Sequence, residues 1–585
     1  MDVFDILTLI GGLALFLYGM EMMGDGLKKM AGGQLESFLA RLTSNRAKGF
    51  LLGLLVTAVI QSSSATTVML VGFVNSGIMK LGQTISIIMG ANIGTTVTSW
   101  LLSLTGISGD SFFLRILKPE SFTPILAVIG VILIMAAKTD KKKNIGTILI
   151  GFAILMFGME TMSGSMEGLK ESESFGQMLI MFSNPVMGII MGTVLTAIIQ
   201  SSSASVGILQ ALSLTGAIPY STAIPIILGQ NIGTTITPVI SSISGNANSK
   251  RVALACVYIK MIGVIIVSVA FYILNGIFDF AIMHENVSVL SIAVIHTLFN
   301  IISTVILMPF CKQIEYISYK SIPDDKQETN DEFAMMDDRF LNMPSFAVEK
   351  SRALVYEMVT KTKDALISAI GLLENYDKNI ADDIERCESE IDKYEDKISA
   401  YLVKIAGREL SAADSLEVSR LLHSLGDIER ISDHSVNIMK AAKEIEEKNI
   451  AFSESAMKDL RIMSGAVEEV LNITAESLVS SNPEEANKVE PLVKLISKLK
   501  HKIKKNHINR LREGKCTVEL GFILSDLLTV YDRVAGHCSN IAVCLIEPDN
   551  ELLESHEYIN QMKSEEESGF FAQYEEYKKK YSLEK

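Results

Sequence analysis

The chain changes character near residue 320. Before that point apolar residues run in long stretches, and residues 49–79 and 174–249 contain no Asp, Glu, Lys, Arg or His. Such stretches are routine in membrane segments. Beyond it charged residues crowd in, and apolar residues recur at i, i+3, i+4 and i+7, as in amphipathic helices. A membrane span needs about 20 mainly apolar residues. The pattern predicts seven, near 4–22, 82–103, 121–137, 145–162, 223–243, 252–275 and 288–310. Two further apolar regions, 49–79 and 186–217, are each interrupted by Gln-Ser-Ser-Ser-Ala. Their arms of about 12 to 15 residues reach roughly 20 Å, short of a hydrocarbon core of about 30 Å. Each is therefore expected to form a re-entrant helical hairpin.

The interruptions belong to a duplication. Residues 57–67 read TAVIQSSSATT and residues 196–206 read TAIIQSSSASV, an offset of 139 (200 − 61). The same offset maps Gly90-Ala-Asn92-Ile-Gly94-Thr95-Thr96 onto Gly229-Gln-Asn231-Ile-Gly233-Thr234-Thr235, and Tyr18-Gly-Met-Glu21 onto Phe157-Gly-Met-Glu160. Three spans separate the starts of the two copies, an odd number, so the copies are expected to be inverted, with the QSSS tips meeting near the midplane.

Charge sets the orientation. One side receives Lys28, Lys29, Arg41, Arg46 and Lys48, then Lys138, Lys141, Lys142 and Lys143, then Lys250 and Arg251, then the charged C-terminal half. The other receives Asp2, Asp5, Glu167, Glu171, Glu173, Asp279 and Glu285, with Arg115 and Lys118 as the imperfect fit. By the positive-inside rule the N-terminus lies outside and the C-terminal half in the cytoplasm of a cell (inner) membrane, with the lipid bilayer as partner. A net charge of −14 argues against nucleic acid. The six cysteines have no metal or disulfide spacing and read as reduced packing residues. Residues 4–22 lack a basic n-region and a cleavage site and read as a retained helix.

A backbone break inside a membrane must be buried in protein or line a cavity. At each break a new helix exposes unpaired N–H groups and its positive dipole end. Ser62, Ser63 and Ser64, and Ser201, Ser202 and Ser203, stand there as N-cap residues would, with Gln61 and Gln200 before them. Two such ends make an anion site without a fixed positive charge. In the GxNIGTT strings Gly94 and Gly233 permit unwinding, while Asn92, Thr95, Asn231 and Thr234 supply oxygens for a hard cation such as Na+. Without a carboxylate there, a divalent site is not expected. Glu21 and Glu160 sit near span ends; His296 and Asn300 lie within the last span, where an intramembrane ionisable residue is a functional candidate by default and a structural helix–helix bond is the other reading. No nucleophile–base constellation appears in the membrane half, so enzymatic activity is not expected.

Paired QSSS strings, each followed about 30 residues later by NIGTT, resemble the type II sodium/phosphate cotransporter family over roughly residues 1–310. The resemblance implies Na+-driven symport of inorganic phosphate. It implies phosphate contacts at Gln61–Ser64 and Gln200–Ser203, and Na+ contacts at Gln61, Asn92, Thr95, Gln200, Asn231 and Thr234. Val206 opposite Thr67 implies unequal halves. A symporter for another oxyanion, such as sulfate, and a membrane phosphate sensor that moves nothing stand as alternatives.

Residues 320–345 are polar and read as a linker, followed by helical patterns over 346–376, 379–406, 411–445, 452–480, 484–513 and 517–546. Glu388 with Asp392, and Glu429 with Asp433, place acids at i and i+4 on one helix face. These segments, with Asn437-Ile438, resemble the PhoU family of phosphate-signalling bundles, which implies a regulatory role and a divalent or iron-type metal at those four residues. In the second copy Glu490 is followed by Lys494, and Asp532 by Gly536, so only one site is expected. The expected whole is an all-α polytopic membrane protein with inverted repeats and two re-entrant hairpins, joined to a PhoU-like bundle. Residues 1–311 form the transport domain, with repeats at about 4–137 and 145–275 and an extra span at 288–310. Residues 312–345 are the linker, 346–550 the bundle and 551–585 a charged tail. A homodimer through the bundle and a phosphate-signalling protein partner are compatible with this plan, though no residue singles out either.

Overall fold

The computed structural model describes residues 3–31, 45–106, 118–166, 173–323, 332–546 and 569–583. Asp2, Arg41, Arg115, Glu167 and Glu171, used above to orient the chain, lie outside them. The chain divides into two units, Met1–Met343 and Pro344–Lys585. Among the described residues every regular element is helical, and an isolated antiparallel bridge joins Pro219 to Asn286.

In the first unit the helices are α1 (Val3–Ala31), α2 (Arg46–Ile60), α3 (Ser63–Asn75), α4 (Leu81–Gly94), α5 (Thr96–Ser103), α6 (Pro119–Ala136) and α7 (Asp140–Met166). There follow α8 (Glu173–Phe182), α9 (Pro185–Ile199), α10 (Ser202–Ser213), α11 (Tyr220–Gly233), α12 (Ile236–Ser242), α13 (Ala247–Phe278), α14 (Val289–Leu307) and α15 (Cys311–Ser321). The boundaries reproduce the duplication. Helices α2 and α9 start 139 apart (185 − 46), as do α3 and α10 (202 − 63) and α4 and α11 (220 − 81).

Among the described residues six stretches are long and apolar enough to cross a membrane: Val3–Met30, Leu81–Gly106, Asp140–Met166, Tyr220–Ser242, Ala247–Phe278 and Val289–Ser321. The seventh expected span, α6, is a shorter apolar helix over Ser121–Ala136, and α8 meets α9 at a bend of 106°. The outside is apolar: Phe4, Ile125, Met135 and Val305 are all exposed. The inside holds Thr57, Thr66, Thr84, Gln210 and Gln230, all buried. Lipid as the outer solvent accounts for that inversion, since water would penalise so much contiguous apolar surface.

Glycines set how closely the helices approach. A Cβ on Gly53 of α2 would overlap the Ile87 carbonyl oxygen of α4, and one on Gly90 would overlap that of Phe50. Their mates in the second copy, Gly192 and Gly229, meet the carbonyl oxygens of Ile226 and Ile189 in the same way. Helices α1 and α7 pack equally tightly. Gly12 lies against Gly158, Gly19 against Gly151, and Gly26 against Asn144, so the two helices run antiparallel. Phe16, Met23, Leu155, Met159 and Met162 fill this seam as a buried cluster. The broken pairs cross over, α3 packing on α12 of the other copy and α10 on α5.

The stretch expected as a linker is largely built into this unit. After α15 come short 3-10 turns at Glu332–Met335 and Asp338–Asn342. There Phe340 is fully buried against Phe73 (ring centroids 5.6 Å), and Asn75 Nδ2 donates to Asp337 Oδ2 at 2.7 Å. Its polar composition hid one aromatic anchor and one ion pair, Arg339 with Asp337 at 3.2 Å.

The second unit holds α16 (Pro344–Leu372), α17 (Lys378–Ala406), α18 (Ala412–Glu447), α19 (Glu454–Ser480), α20 (Pro483–Ala486), α21 (Val489–Arg512), α22 (Val518–Ile546) and α23 (Gly569–Lys580). Helices α16 to α18 pack mutually, as do α19, α21 and α22, and α18 against α22 joins the two sets. Residues 569–583, expected as part of a charged tail, pack as well. Lys494 Nζ lies 5.0 Å from the Phe570 ring, and the Tyr581 hydroxyl donates to Glu469 at 2.6 Å.

Candidate functional site

Each polar string breaks its helix in the same way. The apolar helix α2 ends because Gln61 turns left-handed (φ 59°, ψ 20°), its N–H still reaching the Thr57 carbonyl at 2.8 Å. Ser62 is extended, and its hydroxyl accepts from the Ala65 N–H at 3.2 Å, capping α3. In the second copy Gln200 has φ 61° and ψ 13°, and Ser201 caps α10 through Ala204 at 3.2 Å. A glutamine at positive φ costs on the order of 1 kcal/mol, and such strain clusters at functional sites. The arms are tied across each break, Thr57 Oγ1 donating to Thr66 Oγ1 at 3.0 Å and Thr196 Oγ1 to Ser205 Oγ at 2.8 Å.

The two breaks converge. Ser64 Oγ approaches the Gln200 carbonyl at 3.5 Å, and Ser203 Oγ approaches Thr98 Oγ1 at 3.4 Å. Thr98 in turn donates to Gln61 Oε1 at 2.7 Å. One hydroxyl on α5 therefore joins elements of both copies. Sequence reading missed Thr98. The available signal was its repeat mate Thr237 (98 + 139), each threonine standing two residues beyond its NIGTT string.

The two halves differ. Gln61 is buried and bonded to Thr98, whereas Gln200 is exposed and Thr237 Oγ1 is buried without a partner among the described residues. Gln200 and Thr237 line an open cavity of about 390 Å³, together with Ser241, Ser244 and Arg339. A second cavity, of about 10 Å³, lies between Ser63, Ser64 and Asn92 of one copy and Thr234 of the other. That volume matches roughly one water molecule.

Of the residues expected to bind ions, Asn92 and Thr234 thus share a cavity with Ser63 and Ser64. Thr95 Oγ1 and Asn231 Nδ2 instead donate to carbonyls on their own helices, those of Ala91 at 2.9 Å and Ile227 at 3.0 Å. The expected unwinding is not seen: α4 and α11 stop at Gly94 and Gly233, but Thr95 (φ −60°, ψ −29°) and Thr234 (φ −62°, ψ −18°) keep right-handed helical backbone, and the Thr95 N–H still reaches the Ala91 carbonyl at 3.0 Å. The expectation of a site with no fixed charge needs correction, because Lys260 of α13 lines the small cavity. A lone lysine inside the apolar run 252–275 was the legible signal. His296 serves as a helix–helix tie, its Nδ1 lying 2.9 Å from Ser99 Oγ.

In the bundle, ligand atoms of Glu388, Asp392 and Asp433 lie within 4.8 Å of one another. Glu429 is not in that group, and its carboxylate lies 3.5 Å from Arg430. Burial, then the charges of Asp392 and Asp433, raise the Glu388 carboxyl above its ordinary range. Three crowded carboxylates are a donor set that a hard cation would relieve. At the corresponding place in the second copy the residues are engaged otherwise. Glu490 is buried and accepts from Ser539, Asp532 pairs with Lys500 at 2.8 Å, and Lys494 faces Phe570.

Comparison with known proteins follows these boundaries. The Na+/Pi-cotransporter family model matches residues 15–164 and 157–291, and the PhoU domain model matches 355–442 and 460–545. The "Putative inorganic phosphate export protein YjbB" of Salmonella typhimurium is 21% identical over 560 residues, covering 94% of this chain and 99% of that protein. The "Uncharacterized protein YqeW" of Bacillus subtilis is 30% identical over 311 residues, covering 53% of this chain and 95% of its own. The "Sodium-dependent phosphate transport protein 2A" of Rattus norvegicus is 34% identical over 110 residues, 18% of this chain and 17% of that one.

Proposed function

The chain belongs to the Na+/Pi-cotransporter family and carries a PhoU domain, and on that premise we propose that it carries inorganic phosphate across the cell membrane together with Na+. It is a multi-span membrane protein whose relatives are transporters, not enzymes. The observation that carries the reading is the meeting of two helix N-termini, α3 and α10, and their QSSS strings around Thr98. Free N–H groups and serine hydroxyls suit a phosphate oxyanion. Phosphate is assigned to Gln61–Ser64 and Gln200–Ser203. Na+ is assigned to oxygens of Gln61, Gln200, Asn92, Thr95, Asn231 and Thr234.

The repeats are read as inverted, the broken pairs as re-entrant hairpins from opposite faces, and the N-terminus as outside. The antiparallel pairing of the repeat mates α1 and α7 supports that reading. The two halves exchange access as the Gln61–Thr98 bond opens on one side and its counterpart, Gln200–Thr237, closes on the other. The bundle is assigned to the cytoplasm as a regulator. Glu388, Asp392 and Asp433 would hold a divalent or iron-type cation there, supplying a cross-link between α17 and α18.

Coupled carriers run whichever way the summed gradients point, so direction is read from the gradient imposed. The test places purified protein in liposomes, imposes a Na+ gradient of either sign and follows radiolabelled phosphate and sulfate. Phosphate movement that follows the Na+ gradient, and falls in Gln61→Ala, is expected. Preference for sulfate would reassign the substrate, and phosphate binding without flux would make the protein a sensor.

A further inference from the structure

We propose that Lys260 is an anion-contacting residue, a fixed positive charge that meets the phosphate inside the membrane; the assignment rests on the transport reading above. Lys260 is 9% exposed, and its side chain lines the small cavity with Ser63, Ser64, Asn92 and Thr234. No carboxylate lines that cavity, and among the described residues no hydrogen bond or ion pair engages the ammonium.

Another cation on the same helix shows what a structural role looks like. Arg251, 1% exposed, donates through Nε and Nη2 to the Ile322 carbonyl at 2.9 and 2.8 Å and lies 4.4 Å over the Tyr319 ring. Each of its three guanidinium nitrogens has an acceptor, Nη1 donating to Asn248 Oδ1 at 2.5 Å. The fold has left Lys260 on a cavity whose other polar lining is Ser63, Ser64, Thr67, Asn92, Thr234, Thr235 and Cys256, with no anion among them. An intramembrane ionisable side chain is costly, and one that stays unpaired marks a ligand pathway. Where the N-terminus of α3 and an ammonium share a cavity, the ligand class that satisfies both is a compact oxyanion, admitted as this one-water space widens during transport.

The cavity is also asymmetric in the useful sense. The position 139 earlier in the first copy is Ser121 (260 − 139), so the charge belongs to one half alone. It accordingly biases the anion toward the side formed by the first QSSS string and the second NIGTT string.

The experiment compares the full-length wild type with Lys260→Met, Lys260→Gln and Lys260→Arg. Melting in detergent is recorded with and without inorganic phosphate, and phosphate KM is measured in Na+-loaded liposomes. Phosphate raises the wild-type Tm. Met and Gln abolish that shift and raise KM at least about tenfold, while Arg retains part of both. Removing an unpaired buried charge also raises the ligand-free Tm of Lys260→Met, as a merely structural lysine would not. A KM within twofold of wild type in the Met variant, a preserved phosphate shift, or a ligand-free Tm below wild type overturns the assignment. If the wild type moves no phosphate, the transport reading falls instead, and Lys260 is judged by the phosphate-induced shift alone.

Discussion

Replacing Thr98 with valine keeps the side-chain shape and removes one hydroxyl. That hydroxyl donates to Gln61 Oε1 at 2.7 Å and accepts from Ser203 at 3.4 Å. The second contact is too long to contribute much. The first matters because Gln61 is only 7% exposed, so its oxygen would be left buried without a donor. Such a loss costs about 1–3 kcal/mol, a factor of roughly 5 to 150 in the balance between this arrangement and its alternative. Thr237→Val is the internal control. Its hydroxyl is already buried without a partner, so a methyl group there costs nothing and stabilises this arrangement slightly. Both variants are assayed for melting in detergent and for phosphate KM in liposomes. Thr98→Val should melt lower by a few degrees and shift KM at least fivefold, while Thr237→Val melts at or above wild type. Equal behaviour of the two variants, within about 1 °C and twofold in KM, would refute the claim that one latch is closed and the other open.

Three further outcomes follow from packing and charge. Gly90→Ala and Gly229→Ala force a methyl group into the carbonyls of Phe50 and Ile189, and should cut the monodisperse yield on gel filtration sharply; Gly11→Ala, with nothing within 4 Å, should leave it unchanged. In the bundle Asp459 pairs with the buried Arg510 at 2.7 Å, while among the described residues Arg510 Nε and Nη2 have no partner, so Asp459→Ala strands a buried cation and should cost about 3 kcal/mol in a denaturation titration. Burial, then Arg510, holds His507 below its ordinary 6.5. The unfolded chain therefore binds the proton first, and bundle stability present above about pH 6.5 is lost as pH falls below it; melting curves across pH 7.5 to 5.5 should fall, and His507→Gln should flatten the slope.

Period and composition carried the architecture. The uncharged stretches located the membrane half, and the 139-residue offset (200 − 61) recurs in the helix boundaries themselves. The breaks at Gln61 and Gln200 were legible because four polar residues in an apolar run have few other uses. Thr98 was not singled out, because its role depends on helices crossing between the copies, and local pattern carries no information about that crossing; Lys260 was legible as a lone lysine in an apolar run, but which residues it meets was not. The segment at 332–343 was misjudged for a related reason: its fate rests on Phe340 and Asp337 finding Phe73 and Asn75 some 260 residues earlier. In the acidic cluster, i and i+4 spacing selected the right helix faces, but which of four acids meet depended on side-chain reach.

The glycine seam between α1 and α7 bears on ancestry. Gly12 meets Gly158 and Gly19 meets Gly151, and the repeat offset turns Gly12 into Gly151 (12 + 139) and Gly19 into Gly158 (19 + 139). The two contacts are therefore one contact read from both sides. Reciprocity of this kind defines an isologous interface between identical subunits. The seam has the geometry that two half-length chains would use to dimerise, kept inside a single polypeptide after fusion. Fusion also freed each half to change alone, and Lys260 without a mate and Val206 opposite Thr67 are what that freedom left in the chain.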